Sequence, residues 1–455
     1  MLEDILRMGR RLIPGRLFSA LQPFYHWFLG VMGAFWYGFP SRDMTVIGVT
    51  GTNGKSTVVN LIDAILCESG IKTASVSSIR FKIGEREWPN ELKMTMPGRA
   101  ALQKFLAQAK KEKATHAVIE VTSEGIRQFR HKNINWEILV FTNITPEHIE
   151  SHGGFDAYRA AKLKLFQMPH QWSVINADDP SAELFFEKSI APAKIGYGIK
   201  SFEAGHKNKL KSKVSRWVEA SDVKLEAQHI EFRAEKEKFL LPLVGEFNVY
   251  NALVALSVAK ALNISADKIK QAFVNFKAVP GRMEFINEDQ PFGVVVDYAH
   301  TPDSLEKVYK TLREIAPSSV ARPAKMICVL GSAGGGRDKW KRNKFGMIAA
   351  QNCDTVILTN EDPYDEDPQT ILNEIEDGFL QAMRSLSKTA HFYKILDRGE
   401  AIKKAIFSAG AADTVIITGK GSESVIMGTR GSRIPWDDRR EARKALSELR
   451  QREIK

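Results

Sequence analysis

Residues 44–57 read MTVIGVTGTNGKST, and they decide the fold because a β-rich run leads through a glycine-rich loop into a helix. The run from Met44 to Val49 predicts a short strand. From Ser56 to Ser69 the apolar residues recur at helical spacing, and Gly70 stands where such a helix would stop. A strand, a glycine-rich turn and a helix in this order are the context that a phosphate-binding loop requires.

The loop carries the residue types that hold nucleotide phosphates. Backbone N–H groups and the positive end of the following helix attract phosphate oxygens. Lys55 is expected to neutralise the β and γ phosphates, and Ser56 to present its hydroxyl to a metal ion. The usual pattern has glycine where this chain has Val49, and a glycine turn without a ligand is the alternative. The predicted nucleotide-binding residues are Gly51, Thr52, Asn53, Gly54, Lys55, Ser56 and Thr57.

Along the chain, short strands alternate with helices, which predicts α/β domains whose mostly parallel sheets carry helices on both faces. A length of 455 residues is too great for one core. We predict a short hydrophobic helical segment over residues 1–43, a central P-loop domain over 44–279 and a C-terminal Rossmann-like domain over 280–455. The period-two pattern of residues 194–240 predicts a small antiparallel appendage. The charged tail from Arg439 predicts a solvent-facing helix.

The N-terminal segment is unusual, since residues 17–41 lack Asp, Glu, Lys and Arg and are rich in aromatic residues. The stretch is long enough to span a bilayer. However, the arginines before it would stay on the cytoplasmic side and place the nucleotide-binding domain outside, where there is no ATP. Two interpretations stay open. The segment is either an interfacial helix or hairpin at the membrane surface, or a helix packed on the protein's own core or in a dimer interface.

The net charge limits the possible functions further. The net charge of +11 is compatible with anionic partners, but no nucleic-acid-binding module accompanies it. Nucleotide and phosphate substrates would explain part of the excess positive charge, and so would a solvated basic surface.

Cys67, Cys328 and Cys353 are odd in number and far apart, so they predict neither a disulfide framework nor a metal site. We expect three buried thiols in a reducing cytoplasm.

The GTNGKST form of the loop resembles that of Mur ligases and folylpolyglutamate synthases, and the resemblance to Mur ligases extends along nearly the whole chain. The other matching segments are EVTS at 120–123, TNITPEH at 142–148, YRAAKL at 158–163, GEFNVYNA at 245–252, PGRME at 280–284, VDYAHTPD at 296–303, the glycine loop at 331–339 and GKG at 419–421. Their common order makes chance coincidence negligible.

The resemblance implies an ATP-dependent ligase that forms amide bonds with the help of two magnesium ions. The acceptor carboxylate would attack the γ-phosphate to give an acyl phosphate, and an incoming amine would then displace phosphate. The implied catalytic residues are Lys55, Glu120, His148 and Lys162. The implied metal ligands are Ser56, Glu120, His148 and a carbamylated Lys162. Asn251 is implied on the adenine side, and Arg282, Asp297 and His300 in the hinge and ribose-binding elements.

Within the family, the chain resembles the tripeptide synthetase branch, which adds the third residue to UDP-N-acetylmuramoyl-dipeptide in peptidoglycan precursor synthesis. The predicted partners are therefore a muramoyl-peptide acceptor and an amino acid. KMTMPG at 93–98, which contains Thr95 and Pro97, partly resembles the loop that contacts the muramoyl group. The other implied substrate residues are Glu361, Asp362, Tyr364, Gly419 and Glu423.

Departures from the family pattern concern the substrates. Tyr364 stands where the diaminopimelate enzymes have an arginine, the natural bidentate reader of a second carboxylate. We therefore predict lysine or another amine rather than diaminopimelate. Ser422 replaces a histidine in the last glycine loop.

Only about 45 residues precede the phosphate loop, fewer than the UDP-holding domain of the branch needs. Together with the aromatic N-terminus, this suggests a lipid-linked acceptor and membrane association as an alternative.

Three other classes of protein compete with this interpretation: a folylpolyglutamate synthase, a catalytically silent nucleotide-binding module, and a P-loop kinase or GTPase. The segments at 120–125, 281–284 and 297–303 favour the Mur ligases over the first class. The intact Lys55 and Glu120 argue against a silent module. A kinase or GTPase would leave the second α/β domain and Lys162 unexplained.

Overall fold

The computed structural model describes residues 27–92, 94–199, 210–316, 324–386 and 389–453, and two large sheets organise them. The strands of the first sheet are β1 (Thr45–Thr50), β2 (Thr73–Val76), β3 (Arg80–Ile83), β4 (Arg86–Pro89), β5 (His116–Glu120), β6 (Trp136–Phe141), β7 (Trp172–Asn176), β8 (Ala193–Ile199), β9 (Arg216–Leu225), β10 (Ile230–Ala234) and β11 (Glu237–Leu241). The strands of the second sheet are β12 (Glu284–Phe285), β13 (Gly293–Asp297), β14 (Met326–Leu330), β15 (Thr355–Leu358), β16 (His391–Lys394) and β17 (Thr414–Thr418). A separate hairpin consists of β18 (Val425–Met427) and β19 (Arg433–Pro435).

Helices cover both faces of each sheet. The helices before and around the first sheet are α1 (described over 27–36), α2 (Lys55–Glu68), α3 (Arg99–Lys111), α4 (Ser123–Arg127), α5 (Ile149–His152), α6 (Phe155–Phe166), α7 (Ala182–Lys188), α8 (Glu246–Ala261) and α9 (Ala266–Val274). Those of the second sheet are α10 (Pro302–Glu314), α11 (Trp340–Asn352), α12 (Pro368–Met383), α13 (Arg398–Ser408) and α14 (Asp438–Glu453). We call the two sheets with their helices the first and second domains.

The first sheet has eleven strands in the order β11-β10-β9-β8-β7-β6-β1-β5-β2-β3-β4. In this order, neighbouring strands from β9 to β2 pair in parallel. At one end β10 and β11, and at the other end β3 and β4, continue the sheet by antiparallel pairing. Strand β1 lies between β5 and β6, and Val49 pairs with Glu120. The carboxyl ends of these strands form the edge where α/β sheets bind ligands. This register brings Glu120 beside the loop that follows β1.

The period-two segment at 194–240 is not a separate appendage, so that expectation was wrong. Strand β8 pairs in parallel with β7, and β9 with β8, so both continue the main sheet. Within this segment, the antiparallel pairs are β9 with β10 and β10 with β11. Their inward residues, such as Phe232 and Phe239, join the core formed with α8 and α9. The alternation arose because one face of these strands is buried and the other is exposed.

The second sheet has the order β12-β13-β17-β14-β15-β16, parallel except for β12. Helices α10, α11 and α12 pack on one face, and α13 and α14 on the other. This confirms the expected Rossmann-like α/β domain. The C-terminal helix is only partly solvent-facing, because Ala442, Ala445 and Leu446 are buried against α13.

The expectation of three unpaired thiols was wrong. Cys328 in β14 and Cys353 after α11 form a disulfide, with their Cα atoms 6.1 Å apart. Because α11 returns to the sheet beside β14, residues separated by 25 positions in sequence meet in space. Cys67 is a free cysteine and is only partly buried.

Helix α1 lies on α3 through small residues. Ala34 is fully buried, and a side chain at Gly33 would come within 3.0 Å of Ala100. The other side exposes Phe35 and Trp36, with 70% and 79% of their surfaces accessible. Residues 17–26 of the predicted segment lie outside the described residues. Among the residues described, no helix has the length and apolar character needed to cross a membrane.

Candidate functional site

The phosphate loop joins β1 to α2, as the sequence predicts, and two of its glycines are required by their surroundings. Gly51 and Gly54 have φ angles of 153° and 83°, which L side chains rarely adopt. A Cβ atom on Gly51 would lie 1.9 Å from Thr142 Oγ1, and one on Gly54 would lie 2.4 Å from Asn251 Oδ1. Any side chain at these positions would disturb the loop.

Lys55, Ser56 and Glu120 meet at the start of α2. Ser56 Oγ donates to Glu120 Oε2 at 2.8 Å, and the N–H group of Ser78 donates to the same oxygen at 2.9 Å. Lys55 Nζ lies 3.9 Å from Glu120 Oε1 and donates to the carbonyl oxygen of Thr52 at 2.6 Å. A carboxylate and a hydroxyl side by side at a phosphate loop are the oxygen ligands that Mg²⁺ prefers.

Lys162 lies behind the loop and is buried. Its Nζ donates to the carbonyl oxygen of Gly51 at 2.7 Å and lies 4.6 Å from the centre of the Tyr158 ring. Burial, with the nearby charge of Lys55, holds the pKa of Lys162 well below its ordinary value. Burial therefore disfavours the charged form of this amine.

Glu147 and His148 face the second domain. Glu147 Oε1 lies 3.0 Å from His300 Nε2 and 3.6 Å from His148 Nε2. Burial by itself would raise the pKa of Glu147. The neighbouring His148, His300 and Lys55 have a larger opposite effect, so the pKa of Glu147 lies well below its ordinary value. Burial also lowers the pKa of His148, against the effect of Glu147. A neutral imidazole is the form that binds a metal ion.

A cavity of about 640 Å³ opens beside the loop between the two domains. It brings together the predicted adenine-side and ribose-side residues, which are Asn251, Arg282, Asp297 and His300. Asn251 Nδ2 donates to Asn248 Oδ1 at 2.9 Å. The carboxylate of Asp297 accepts the N–H groups of Met283 and Ala299, each at 2.7 Å. Asp297 thus also fixes the chain turns on either side of it.

A second cavity, of about 270 Å³, lies on the other side of the loop. It is lined by predicted residues from both domains, namely Thr52, Asn53, Gly54, Lys55, Ser56, Thr57, Thr95, Glu120, His148, Arg282, His300, Glu361, Asp362, Tyr364, Gly419 and Glu423. Buried Pro97 and Lys162 are not among the lining residues. Both cavities share Asn53, Gly54 and Thr57, so the phosphate loop is the wall between them.

At the second-domain end of this cavity, acidic and basic side chains are closely coupled. Lys420 Nζ donates to Asp362 Oδ1 at 2.7 Å and to Glu423 Oε2 at 2.5 Å. Tyr298 donates to the other oxygen of Glu423 at 3.2 Å. Glu361 is different, because its Oε2 is buried without a hydrogen-bond partner, and burial raises its pKa. An unpartnered acceptor on a residue that lines a cavity suits an incoming cationic or amine group.

Several lining residues were not singled out from the sequence, among them Glu147, Tyr298, Arg337 and Lys341. Arg337 and Lys341 belong to or follow the glycine loop at 331–339, so the motif pointed to their neighbourhood. Lys341 Nζ donates to the carbonyl oxygen of His300 at 3.1 Å, and burial lowers its pKa. Arg337 and Tyr364 both line this cavity. Nothing in the sequence alone tied Glu147 to His300.

The oxygen and nitrogen donors near the loop fit metal ions held jointly with a substrate. Within the described part of the chain, no three His, Cys, Asp or Glu side chains gather closely enough to hold a metal by themselves. Glu120 and Ser56 offer two protein oxygens, and phosphate oxygens would supply others. Mg²⁺ is bound in this way in nucleotide sites, with few protein ligands.

Comparisons with known proteins agree with this geometry. Residues 49–259 match the Mur ligase middle domain, and residues 281–421 match the Mur ligase glutamate ligase domain. A UDP-N-acetylmuramoyl-L-alanyl-D-glutamate--2,6-diaminopimelate ligase of Syntrophomonas wolfei is 37% identical over 92% of this chain and 81% of its own length. A UDP-N-acetylmuramyl-tripeptide synthetase of Roseiflexus sp. is 36% identical over 92% of this chain and 82% of its own length.

Solved structures give the same result. The structure of a UDP-N-acetylmuramoyl-L-alanyl-D-glutamate--2,6-diaminopimelate ligase has 30% identity and a TM-score of 0.59, covering 90% of this chain and 79% of that one. The Mycobacterium tuberculosis folylpolyglutamate synthase has a TM-score of 0.66 at 18% identity, covering 86% of this chain and 92% of that one, which shows a shared fold alone. From the two matching domains and the relatives aligned over most of their length, the chain belongs to the Mur ligase family.

Proposed function

We propose that this Mur ligase joins an amino acid to the carboxylate of a muramoyl peptide in peptidoglycan precursor synthesis, at the expense of ATP. The observation that carries the proposal is the single cavity in which Lys55, Ser56 and Glu120 of the first domain face Glu361 and Glu423 of the second. One wall suits phosphates and the opposite wall suits an amine. Its relatives named tripeptide synthetases and diaminopimelate ligases point to the same class of acceptor.

In the proposed reaction, ATP lies in the larger cavity with its phosphates on the loop. The backbone of Gly51 to Gly54 and the ammonium group of Lys55 stabilise charge on the γ-phosphoryl group as the acceptor carboxylate attacks it. Phosphoryl transfer turns the carboxylate into an acyl phosphate, whose carbonyl carbon the amine then attacks as phosphate leaves. The closed domains exclude water from this intermediate.

The metal requirement is assigned to Ser56, Glu120, His148 and Lys162, with two magnesium ions. Bound magnesium would neutralise charge on the phosphate oxygens and orient them. Ser56 and Glu120 are already hydrogen-bonded to one another at the loop. We propose carbamylation of Lys162 by carbon dioxide, because its lowered pKa favours the neutral, nucleophilic amine. The new carbamate carries anionic oxygens, whereas an ammonium group would repel a cation.

The amine substrate is proposed to be lysine or another amine rather than diaminopimelate. Tyr364 has a phenol where a bidentate guanidinium would be needed for a second carboxylate. Glu361 and Asp362 next to it favour a cationic or neutral side chain. Gly419 and Glu423 are proposed to hold the amine at its reacting end. The relatives named as diaminopimelate ligases make this the point at which this chain is expected to differ from them.

The acceptor is proposed to enter past Thr95, which lines the small cavity, while Pro97 in the same loop is buried. Helix α1 packs on the first turn of α3, which begins at Arg99, so α1 lies near the end of this loop. We propose that Phe35 and Trp36 contact a membrane surface, where aromatic rings are stable at headgroup level. This would favour a lipid-linked acceptor over a soluble one.

Co-sedimentation with vesicles of anionic phospholipid tests the membrane contact. The unaltered chain is expected in the pellet, and a Phe35→Ser, Trp36→Ser variant in the supernatant. A Phe285→Ser variant, which changes an exposed aromatic residue of the second domain, is the control. Equal distribution of all three proteins between pellet and supernatant would contradict the contact.

A folylpolyglutamate synthase activity remains the second candidate, because that fold also matches. Mass spectrometry of the reaction product distinguishes the two. A muramoyl-dipeptide acceptor that gains the mass of one amino acid less water supports the proposal. Glutamate addition to a folate, with no product from muramoyl peptides, would replace it.

A further inference from the structure

The second domain caps helix α5 of the first domain. This helix begins at Ile149, directly after His148, whose backbone is left-handed with φ 56° and whose side chain makes no cap. Instead, Asp338 accepts the N–H group of Ile149 through Oδ2 at 3.2 Å and that of Glu150 through Oδ1 at 3.0 Å. Two amides that a helix start leaves unpaired therefore find their acceptor in the other domain.

Two more contacts between the domains flank the same short segment. The N–H group of Lys339 donates to Glu150 Oε1 at 2.9 Å, and His300 pairs with Glu147 at 3.0 Å. Residues of the second domain thus contact positions 147, 149 and 150. His148 lies between these contacts, and its imidazole lines the small cavity.

The segment that carries Asp338 is anchored in the second domain by Arg342. Asp338 is 6% exposed, and it precedes Arg342, which is fully buried. Arg342 donates to Glu366 at 3.0 Å, to Glu374 at 2.7 Å and to the carbonyl oxygen of Ala333 at 3.3 Å. These bonds tie both ends of the loop to its own domain. If the second domain moved away, Asp338 would leave with it.

We propose that Asp338 is a positioning residue that fixes His148 at the metal site only when the second domain is docked on the first. The inference rests on the proposed role of His148 as a metal ligand. If Asp338 acts in this way, docking of the second domain completes the metal site at the same time as it brings the proposed amine-binding residues to the cavity. Phosphoryl transfer would then be favoured when the amine side of the cavity is in place, and futile hydrolysis of ATP would be limited.

The test measures binding of Mn²⁺ to the full chain with a non-hydrolysable ATP analogue, followed by electron paramagnetic resonance. Asp338→Asn keeps the shape of the side chain but leaves one oxygen to accept two N–H groups. We expect about tenfold weaker Mn²⁺ binding, as is usual when a group supporting a metal ligand is lost. His148→Ala should weaken binding at least as much. The double variant should be no weaker than His148→Ala alone, because Asp338 acts through His148.

Asp367→Asn is the matched control, because Asp367 caps α12 within the second domain and accepts the N–H group of Thr370 at 3.0 Å. Its Mn²⁺ binding should equal that of the unaltered chain. Glu150→Ala provides a second route should Asp338→Asn fail to fold, and it should also weaken binding. If His148→Ala leaves binding unchanged, the proposed metal role of His148 fails. If His148→Ala weakens binding but Asp338→Asn does not, or if the two losses add, the inference about Asp338 is overturned alone.

Discussion

His300 Nε2 lies 3.0 Å from Glu147 Oε1, and this hydrogen bond joins the two domains at the small cavity that contains Lys55. His300 is oriented by a second contact, from Nδ1 to the carbonyl oxygen of Tyr298 at 2.9 Å. A further hydrogen bond between the domains runs from Asn53 Nδ2 of the first domain to Asp303 Oδ2 of the second, at 2.9 Å. The phosphate loop of the first domain and the residues around His300 in the second therefore meet at one site.

Lys162→Ala is expected to reduce ligase activity at least about 100-fold, because the anionic oxygens of the proposed carbamate, and their proposed contribution to the metal site, would be lost. Lys162→Glu should recover part of that activity, since a carboxylate supplies oxygens of the same charge near the same place. The unaltered enzyme should also lose activity when bicarbonate and carbon dioxide are removed. Steady-state phosphate release checks all three. Equal activity of the Ala and Glu variants, with no effect of bicarbonate, would argue against carbamylation.

Tyr364→Arg is expected to shift amine preference toward diaminopimelate, because a guanidinium can bind the second carboxylate in two places. The ratio of kcat/KM for diaminopimelate to that for lysine should rise about 10-fold or more. Tyr393→Arg makes the same change on an exposed strand and should leave the ratio unchanged. A parent enzyme that already prefers diaminopimelate over every other amine would refute the role given to Tyr364.

Arg398→Met is expected to lower the free energy of unfolding by about 3–5 kcal/mol, because it leaves the buried carboxylate of Asp438 without its partner. The guanidinium donates to both carboxylate oxygens at 2.7 Å, and both side chains are almost fully buried. Arg443→Met removes a more exposed partner of Glu284 at 3.5 Å and should cost less than about 1 kcal/mol. Urea denaturation measures both, and equal losses would contradict the account.

His131 is expected to make stability depend on pH. Burial, with the charges of Lys132 and Lys164, lowers its pKa from the ordinary 6.5 to about 4. The unfolded chain then binds a proton below about 6.5 while the folded chain does not. Stability should fall as pH is lowered from about 6.5 to about 4, by at most about 3 kcal/mol from this residue. In urea denaturation, the free energy of unfolding of His131→Gln should lack this part of the pH dependence. The same pH profile in the variant and the unaltered chain would contradict the role given to His131.

Much of the fold was predictable because buried parallel strands read as short apolar runs between turns. The strands Trp172–Asn176, Met326–Leu330, Thr355–Leu358 and Thr414–Thr418 are such runs. The ordered motifs also indicated the family, which the comparisons confirm. The pairing of β8 with β7 was missed, because alternation reveals which face is buried but not which strand lies alongside.

The remaining parts of the site depend on how the domains dock. Glu147 and Asp338 lie in segments that resemble the family, but their contacts across the domains carry no signal in the sequence, since each acquires its partner from residues more than 150 positions away. The disulfide of Cys328 and Cys353 likewise depends on where α11 returns to the sheet. Motifs found the side chains that face the cavity, whereas the contacts between domains required the structure.

Phosphate release from ATP tests the central claim most directly. The assay contains magnesium and bicarbonate, soluble and lipid-linked muramoyl-dipeptide acceptors, and a panel of amino acids. Lys55→Ala should lower the rate about 100-fold or more, whereas Lys268→Ala, which pairs with Glu68 at the other end of the same helix α2, should not. Phosphate release is expected to require both an acceptor and an amine. Release that ignores either substrate, or that survives Lys55→Ala, would contradict it.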